Sequence, residues 1–384
     1  MKANKGSAGV DGQSLQDFER QREANLYKLW NRLSSGSYFP KAVKRVMIPK
    51  ADGGERPLGI ATVTDRIAQM AVKIVLESEL EPHFHPDSYG YRPNKSAHQA
   101  VEQVKQRCWK RPWVLEMDIK GFFDTINHAL LLKAVDKHIK LPWQRLYIKR
   151  WLEAPIQHAD GQIETRTEGT PQGGVISPLL ANLYLHYVFD VWVERHGPGV
   201  QFARYADDIV CHCETEQQAQ GWLEQLTERF AECGLTLHPE KTKIVYCKSW
   251  KHREEHDQIE FDFLGFSFRP RYFPHKPKRT RLCFVSVISP RAAKRIRQAI
   301  NDWPWGYWIQ RDIQTILNYA KNKLQGWMAY YGEFGAYRLK SVLFHFDKKL
   351  TRWAMKKYKS LSRARAVRAI MNYARAQAGR LAHW

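Results

Sequence analysis

Apolar positions recur along this chain in two rhythms, one of period two and one of three to four. Between Trp113 and Asp124 the residues Leu115, Met117 and Ile119 alternate onto one face, predicting a strand that places Asp118 at its end and runs into a turn at Gly121. Two further β-prone runs, 201–205 and 209–213, flank Ala206-Asp207-Asp208 and predict a hairpin with paired carboxylates at its tip. Helical spacing governs the last third, at Ile313, Ile316, Leu317, Ala320, Leu324 and Trp327 and again at Leu343, Phe346, Leu350 and Trp353. Ser289-Pro290 predicts another helix start, a capping serine followed by proline at the first helical position. A Gly-rich stretch, 168–176, leads into a helix expected to be capped by Ser177 with Pro178 following. The most apolar stretch, 175–192, is interrupted by Ser177, Asn182, His186 and Asp190, which excludes a membrane span.

Charge changes this picture because it is distributed so unevenly. The 384 residues carry a net charge of +22, yet residues 1–268 hold 35 Lys+Arg and 35 Asp+Glu, so the whole excess lies in residues 269–384. A neutral front half is thus joined to a polycationic, Trp- and Tyr-rich helical rear half, a combination that points to nucleic acid. Arg291, Lys294 and Arg295 on one predicted helix, and Lys348, Lys349, Arg352 and Lys356 on another, are the candidate contacts. Prolines 270, 274 and 277 punctuate the segment between the halves, which reads as a linker. The six cysteines include no Cys-x-x-Cys pair, and Cys211 and Cys213 around His212 read as core residues and not as zinc ligands. The N-terminus lacks the apolar run of a secretory signal, so a reducing cytoplasm is the expected compartment, with no membrane partner.

A Tyr-x-Asp-Asp turn alone is an ordinary turn, since Asp suits turns for backbone reasons. Asp118 on a separate strand end alters that, because a strand end and a neighbouring hairpin tip bring acidic groups together around two divalent cations. Two such ions about 3.5–4 Å apart stabilise the attacking and leaving oxygens of a phosphoryl displacement, and hard carboxylate oxygens suit Mg²⁺. The Gly-rich loop allows close backbone approach to a nucleotide or template, although by itself it is only a loop.

Taken in order, Asp118-Ile119-Lys120-Gly121-Phe122-Phe123-Asp124, Gly169-Thr170-Pro171-Gln172-Gly173-Gly174-Val175-Ile176-Ser177-Pro178 and Tyr205-Ala206-Asp207-Asp208 resemble the bacterial group II intron reverse transcriptases. Blocks at 6–12, 48–60, 88–96, 234–242 and 263–266 are similar to further blocks of that family, and Leu324-Gln325-Gly326-Trp327-Met328-Ala329-Tyr330-Tyr331 to its maturase, or thumb, domain. The resemblance implies an α/β (α+β) right-hand polymerase, with fingers at 1–112, palm at 113–268 (part of the fingers at about 141–175), linker at 269–284 and a basic helical thumb with an RNA-binding tail at 285–384. It implies metal ligation by Asp118, Asp207 and Asp208 with the Ile119 carbonyl, two Mg²⁺ ions with Mn²⁺ as a substitute, and a triphosphate clasp by Lys50 and Arg56. Gln172 would line the nucleotide pocket, Phe123 would stand as the gate against a ribose 2′-hydroxyl, and Lys241 would contact primer or phosphates. The implied partners are an RNA template, a DNA or RNA primer, deoxynucleoside triphosphates and a group II intron RNA whose splicing is assisted. No His-Asn-His endonuclease block with cysteine pairs follows the thumb, so the resemblance is to the endonuclease-less form. Two alternatives share these residues: a freestanding reverse transcriptase in DNA repair, phage defence or a CRISPR system, and an RNA-binding splicing chaperone whose polymerase site is unused.

Overall fold

The computed structural model describes residues 6–49, 54–197, 199–276 and 279–376. The chain forms two compact units, Met1–Ala100 with Val114–Ile244, and Val101–Trp113 with Val245–Trp384. Among the described residues eleven strands form three sheets: β1 (Val43–Pro49), β2 (Glu55–Ile60), β3 (Trp113–Asp118), β4 (Ile156–Gln157), β5 (Ile163–Glu164), β6 (Gln201–Tyr205), β7 (Asp208–Cys213), β8 (Lys243–Tyr246), β9 (Phe261–Phe263), β10 (Phe266–Lys276) and β11 (Arg279–Ile288). The orders are β2-β1-β4-β5, β6-β7-β3-β8 and β11-β10-β9.

The sheet β6-β7-β3-β8 carries the predicted carboxylates. Trp113, Val114, Leu115 and Met117 of β3 are all buried, so this strand is covered on both faces and reads as a nearly continuous apolar run rather than a strict alternation. Beside it lies the helix Ser177–Leu185, which passes through a π-helical turn, His186–Asp190, into Val191–His196. Every residue from Leu179 to Leu185 is buried, as expected of a helix that is apolar all round. Ser177 does not cap this helix: Ile176 occupies the cap position, Ser177 is the first helical residue, and Thr170 donates to its hydroxyl at 2.8 Å. That bond ties the Gly-rich loop back onto the helix start, and it takes the hydroxyl away from the backbone donors a cap would serve.

In the second unit the helical stripes behave as expected. Ile316, Leu317, Ala320 and Leu324 of Ile313–Tyr331 and Leu343, Phe346, Leu350 and Trp353 of Ala336–Lys357 are buried in one core. Ser289 caps Pro290–Asn301 by accepting from the Ala292 amide at 3.1 Å. Residues 269–276 and 279–284, expected as part of a linker, belong instead to the paired strands β10 and β11, and Pro277 lies outside the described residues. Proline is tolerated there because β10 pairs with β9 only over Phe266–Phe268, leaving one side of the strand without a ladder from Arg269 onward. A register shift between Pro274 and Lys276 absorbs the second proline.

Candidate active site

Tyr205 of β6 pairs with Asp208 of β7, which leaves Ala206 and Asp207 as a two-residue turn. Ala206 sits at φ 57°, a left-handed conformation that costs a residue with a Cβ and must be held by its surroundings. The hold comes from Arg204, 0% exposed, whose Nη1 donates to the Ala206 carbonyl at 3.2 Å and to Asn182 Oδ1 at 3.1 Å. Its Nε and Nη2 form a fork onto Asp190 at 2.7 and 2.6 Å. Asp190 comes from the π-helical turn. Burial alone would raise its carboxyl, but Arg204, and after it His186, outweigh that and hold it below the ordinary carboxylate value. Asn182 in turn donates to the Gly90 carbonyl at 2.6 Å. Gly90 lies so close to the turn that a Cβ there would stand 2.4 Å from the Ala206 nitrogen, which restricts the position to glycine.

Asp118 ends β3 in the same sheet. Residues 236–241 run beside it: Lys120 donates its amide to the Thr236 carbonyl at 2.8 Å, Ile119 bridges Leu237, and the His238 amide donates to the Asp118 carbonyl at 2.8 Å. This brings the Lys241 ammonium to the Asp118 carboxylate at 2.9 Å. A parallel ion pair, Lys243 to Glu116 at 3.3 Å, lies farther along.

The charge of Asp118 reaches both Asp207 and Asp208. Asp208 reaches solvent, but the protein packed around it removes much of its water; that burial, followed by the charges of Asp207 and then Asp118, pushes its carboxyl up to about 7 against the pull of Lys241. Asp207 is raised as well, by burial first and by Asp118, with its own amide, Arg56 and Lys241 opposing. Among the described residues no three His, Cys, Asp or Glu side chains close into a metal cluster; Asp118 is turned instead to Lys241. The donor set nevertheless fits a hard divalent cation: the carboxylates raise one another's affinity for positive charge, and an ammonium group already answers one of them.

This field has a measurable consequence. Because Asp208 binds a proton more tightly in the folded than in the unfolded chain, its contribution to stability is full below about 3.8 and is lost as pH rises through about 7. Divalent cation should reverse that loss. The gap in melting temperature between Mg²⁺ and chelator is expected to widen as pH is raised through about 7; a gap independent of pH would show that Asp208 does not take part in metal binding.

On the other side of the site, Arg56 of β2 donates through Nε to Gln172 Oε1 at 2.5 Å, and the Gly59 amide donates to the Gln172 carbonyl at 2.7 Å. The structure thus joins two of the residues expected at the nucleotide pocket, and the Arg56 charge is felt at Asp207 and Tyr91. Phe123, 7% exposed on the short helix Phe122–Thr125, meets Phe122 edge-on, and its carbonyl accepts from the Thr170 amide at 2.7 Å. It is therefore stitched to the same loop, two residues before Gln172. Lys50 lies outside the described residues. In the second unit Arg291, Lys294 and Arg295 are exposed on Pro290–Asn301, and Lys348, Arg352 and Lys356 on Ala336–Lys357, with Lys349 half-buried. Burial, then Lys349, Arg297, Arg352 and Lys348, hold the His345 imidazole below its ordinary value, which shows how concentrated the positive field is there.

Sequence reasoning missed Arg204, Asp190 and Tyr91. An arginine inside the apolar run Phe202-Ala203-Arg204 is a signal, since a buried guanidinium demands a carboxylate, but its partner cannot be read from spacing. Tyr91, 53% exposed at φ 57°, lies 6.3 Å from the Tyr205 ring; burial raises its hydroxyl, with Asp207 next.

A sheet that presents acidic residues at a strand end and an adjoining hairpin tip, with a second sheet and a Gly-rich loop beside them and a helical unit following in the chain, is the framework of a right-hand nucleic-acid polymerase. The chain belongs to the reverse transcriptase (RNA-dependent DNA polymerase) family, which it matches over residues 48–268, and residues 293–371 match the group II intron maturase-specific domain. It is 32% identical to Protein YkfC of Escherichia coli (strain K12) over 343 residues, 79% of this chain and 86% of that protein. It is 38% identical to the group II intron-encoded protein LtrA of Lactococcus lactis subsp. cremoris over 187 residues, 48% of this chain but 31% of that protein. A telomerase from Candida albicans, solved with a fragment of telomeric RNA, shares the fold at a TM-score of 0.52 and 10% identity, over 94% of this chain and 66% of that one. Among the described residues no helix is long and apolar enough to cross a membrane.

Proposed function

We propose that this enzyme extends a DNA or RNA primer along an RNA template, using deoxynucleoside triphosphates, and that its basic half binds a group II intron RNA and assists its splicing. Residues 1–112 act as fingers, joined by about 141–175, the rest of 113–268 as palm and 285–384 as thumb. The observation that carries the reading is the placement of Asp118 at the end of β3, in the sheet position next to β7, whose turn and first residue bear Asp207 and Asp208. Two Mg²⁺ ions, or Mn²⁺ in their place, held by these carboxylates and the Ile119 carbonyl, would supply the charge stabilisation that phosphoryl transfer requires. Arg56, and Lys50 with it, orient the triphosphate. Gln172, fixed by Arg56 and Gly59, shapes the pocket, and Lys241 holds Asp118 in place until substrate arrives. The six cysteines, five of them buried, suit a reducing bacterial cytoplasm.

Primer extension on an RNA template, comparing deoxy- with ribonucleotides and Mg²⁺ with chelator, tests the reading; extension that persists in chelator would overturn it. Phe123→Ala is expected to raise ribonucleotide insertion more than it lowers DNA synthesis, by removing the side chain that collides with a 2′-hydroxyl. An unchanged ratio in a folded variant would make Phe123 a core residue only.

RNA affinity should fall steeply with salt, with a slope of log K against log salt of about −0.7 to −0.9 per phosphate contact. Charge reversal at Lys348, Lys349, Arg352 and Lys356 is expected to flatten that slope, and an unaltered slope would assign the excess charge to solvation alone.

A further inference from the structure

Away from the carboxylates, the second unit contains an open pocket of about 230 Å³. Ile288 closes it at the end of β11, and three further elements converge on it with their periodicities in phase. Ser267, Arg269 and Arg271 alternate onto one face of β10; Pro290, Ala293 and Arg297 share one side of their helix; and Arg338, Ser341 and Val342 share one side of Ala336–Lys357. Four arginines therefore line one small cleft. Glu260 answers part of this charge, pairing with Arg269 at 3.3 Å.

Arg271 is the informative member. Its Nε is enclosed and has no hydrogen-bond partner. Burial, and after it Arg269 and Arg338, hold its guanidinium below the ordinary value. An enclosed donor without an acceptor, among like charges, is costly unless an anion completes it. The pocket opens beside the first turn of Pro290–Asn301, where a helix favours negative charge. Its volume is below the roughly 300–1,000 Å³ typical of sites that enclose drug-sized ligands, which suits a phosphoryl group projecting from a longer chain.

We propose that this pocket binds a backbone phosphate of a single nucleic-acid strand, with Arg271, Arg338 and Arg297 as its donors. Tyr337 favours a strand over a free ion: it is 52% exposed, its ring stands edge-on to Phe273 at 6.5 Å, and Arg338 lies 5.8 Å from its centroid. It offers a base a face beside the phosphate. The choice of strand rests on the reading of the basic half as a nucleic-acid surface; the pocket itself does not.

The test uses the full chain with two probes, a short oligouridylate and inorganic phosphate, the latter against chloride at equal ionic strength. Arg271→Gln and Ser341→Glu are each expected to lower oligouridylate affinity about tenfold, the scale of a lost charge-assisted contact, and to reduce the salt slope by about 0.7. Ser341→Glu retains every arginine and should raise the melting temperature by pairing within the pocket, so it decides the matter even if Arg271→Gln folds poorly. Lys340→Gln, a single exposed charge on the same helix outside the pocket, should have a much smaller effect. Equal losses in all three variants would overturn the pocket in favour of a diffuse field, and no loss in either pocket variant would overturn it outright. If phosphate stabilises the wild type but not Ser341→Glu, while oligouridylate affinity is identical in both, the ligand is a free anion and the strand is overturned. If the wild type binds no oligouridylate yet is stabilised by phosphate, the nucleic-acid reading of the basic half fails while the anion pocket stands.

Discussion

Asp207→Asn is expected to reduce primer extension by about 10²- to 10³-fold or more, the scale on which one electrostatic stabiliser of a transition state is commonly felt. RNA affinity should stay near the wild-type value, because Asp207 lies in the neutral half of the sequence and the excess charge in the other. A second signature accompanies the loss. Asp207 is the neighbour whose charge most raises Asp208, so in the variant the Asp208 carboxyl should titrate lower and the dependence of stability on pH should flatten. Extension and pH-dependent melting measured on one preparation check both; retention of more than about a tenth of the activity would remove Asp207 from the chemistry.

The largest effect on stability is expected at Arg204. Arg204→Met leaves Asp190 fully buried without its partner, a change that typically costs about 3–5 kcal/mol. Adding Asp190→Leu should recover most of that loss, because a buried ion pair replaced by packed apolar groups is often neutral. Activity should not return with stability. The double variant still lacks the donor to the Ala206 carbonyl, so the left-handed turn that carries Asp207 loses its tether. Urea midpoints and extension rates on the single and double variants separate the two roles. A double variant as active as wild type would mean that the turn holds itself.

Much of this was legible from residue pattern. An apolar strand pattern located β3, two β-prone runs around Asp207-Asp208 located the β6–β7 hairpin, helical spacing located Ile313–Tyr331 and Ala336–Lys357, and Ser289-Pro290 marked a true helix start. The same logic failed at Ser177-Pro178, where a tertiary bond from Thr170 claims the hydroxyl, and at Pro270 and Pro274, where proline marks an unladdered strand side rather than a linker. Local signals do not report which partner a side chain will meet. For that reason Arg204 with Asp190, Arg56 with Gln172 and Lys241 with Asp118 became visible only in three dimensions, although both members of the last two pairs were already candidates on their own.

The position of β3 in its sheet governs how the enzyme can be made. Its neighbours are β7 and β8, so neither edge of Trp113–Asp118 can pair until residues 208–213 and 243–246 have been synthesised. During that interval a growing chain carries an apolar strand with both hydrogen-bonding edges open, a template for pairing with other chains. Long-range pairing of this kind is also slow to form. Ribosome-bound chains that end before β7 should therefore require holding by chaperones, and an early stop codon in this stretch should yield aggregates rather than a soluble fragment.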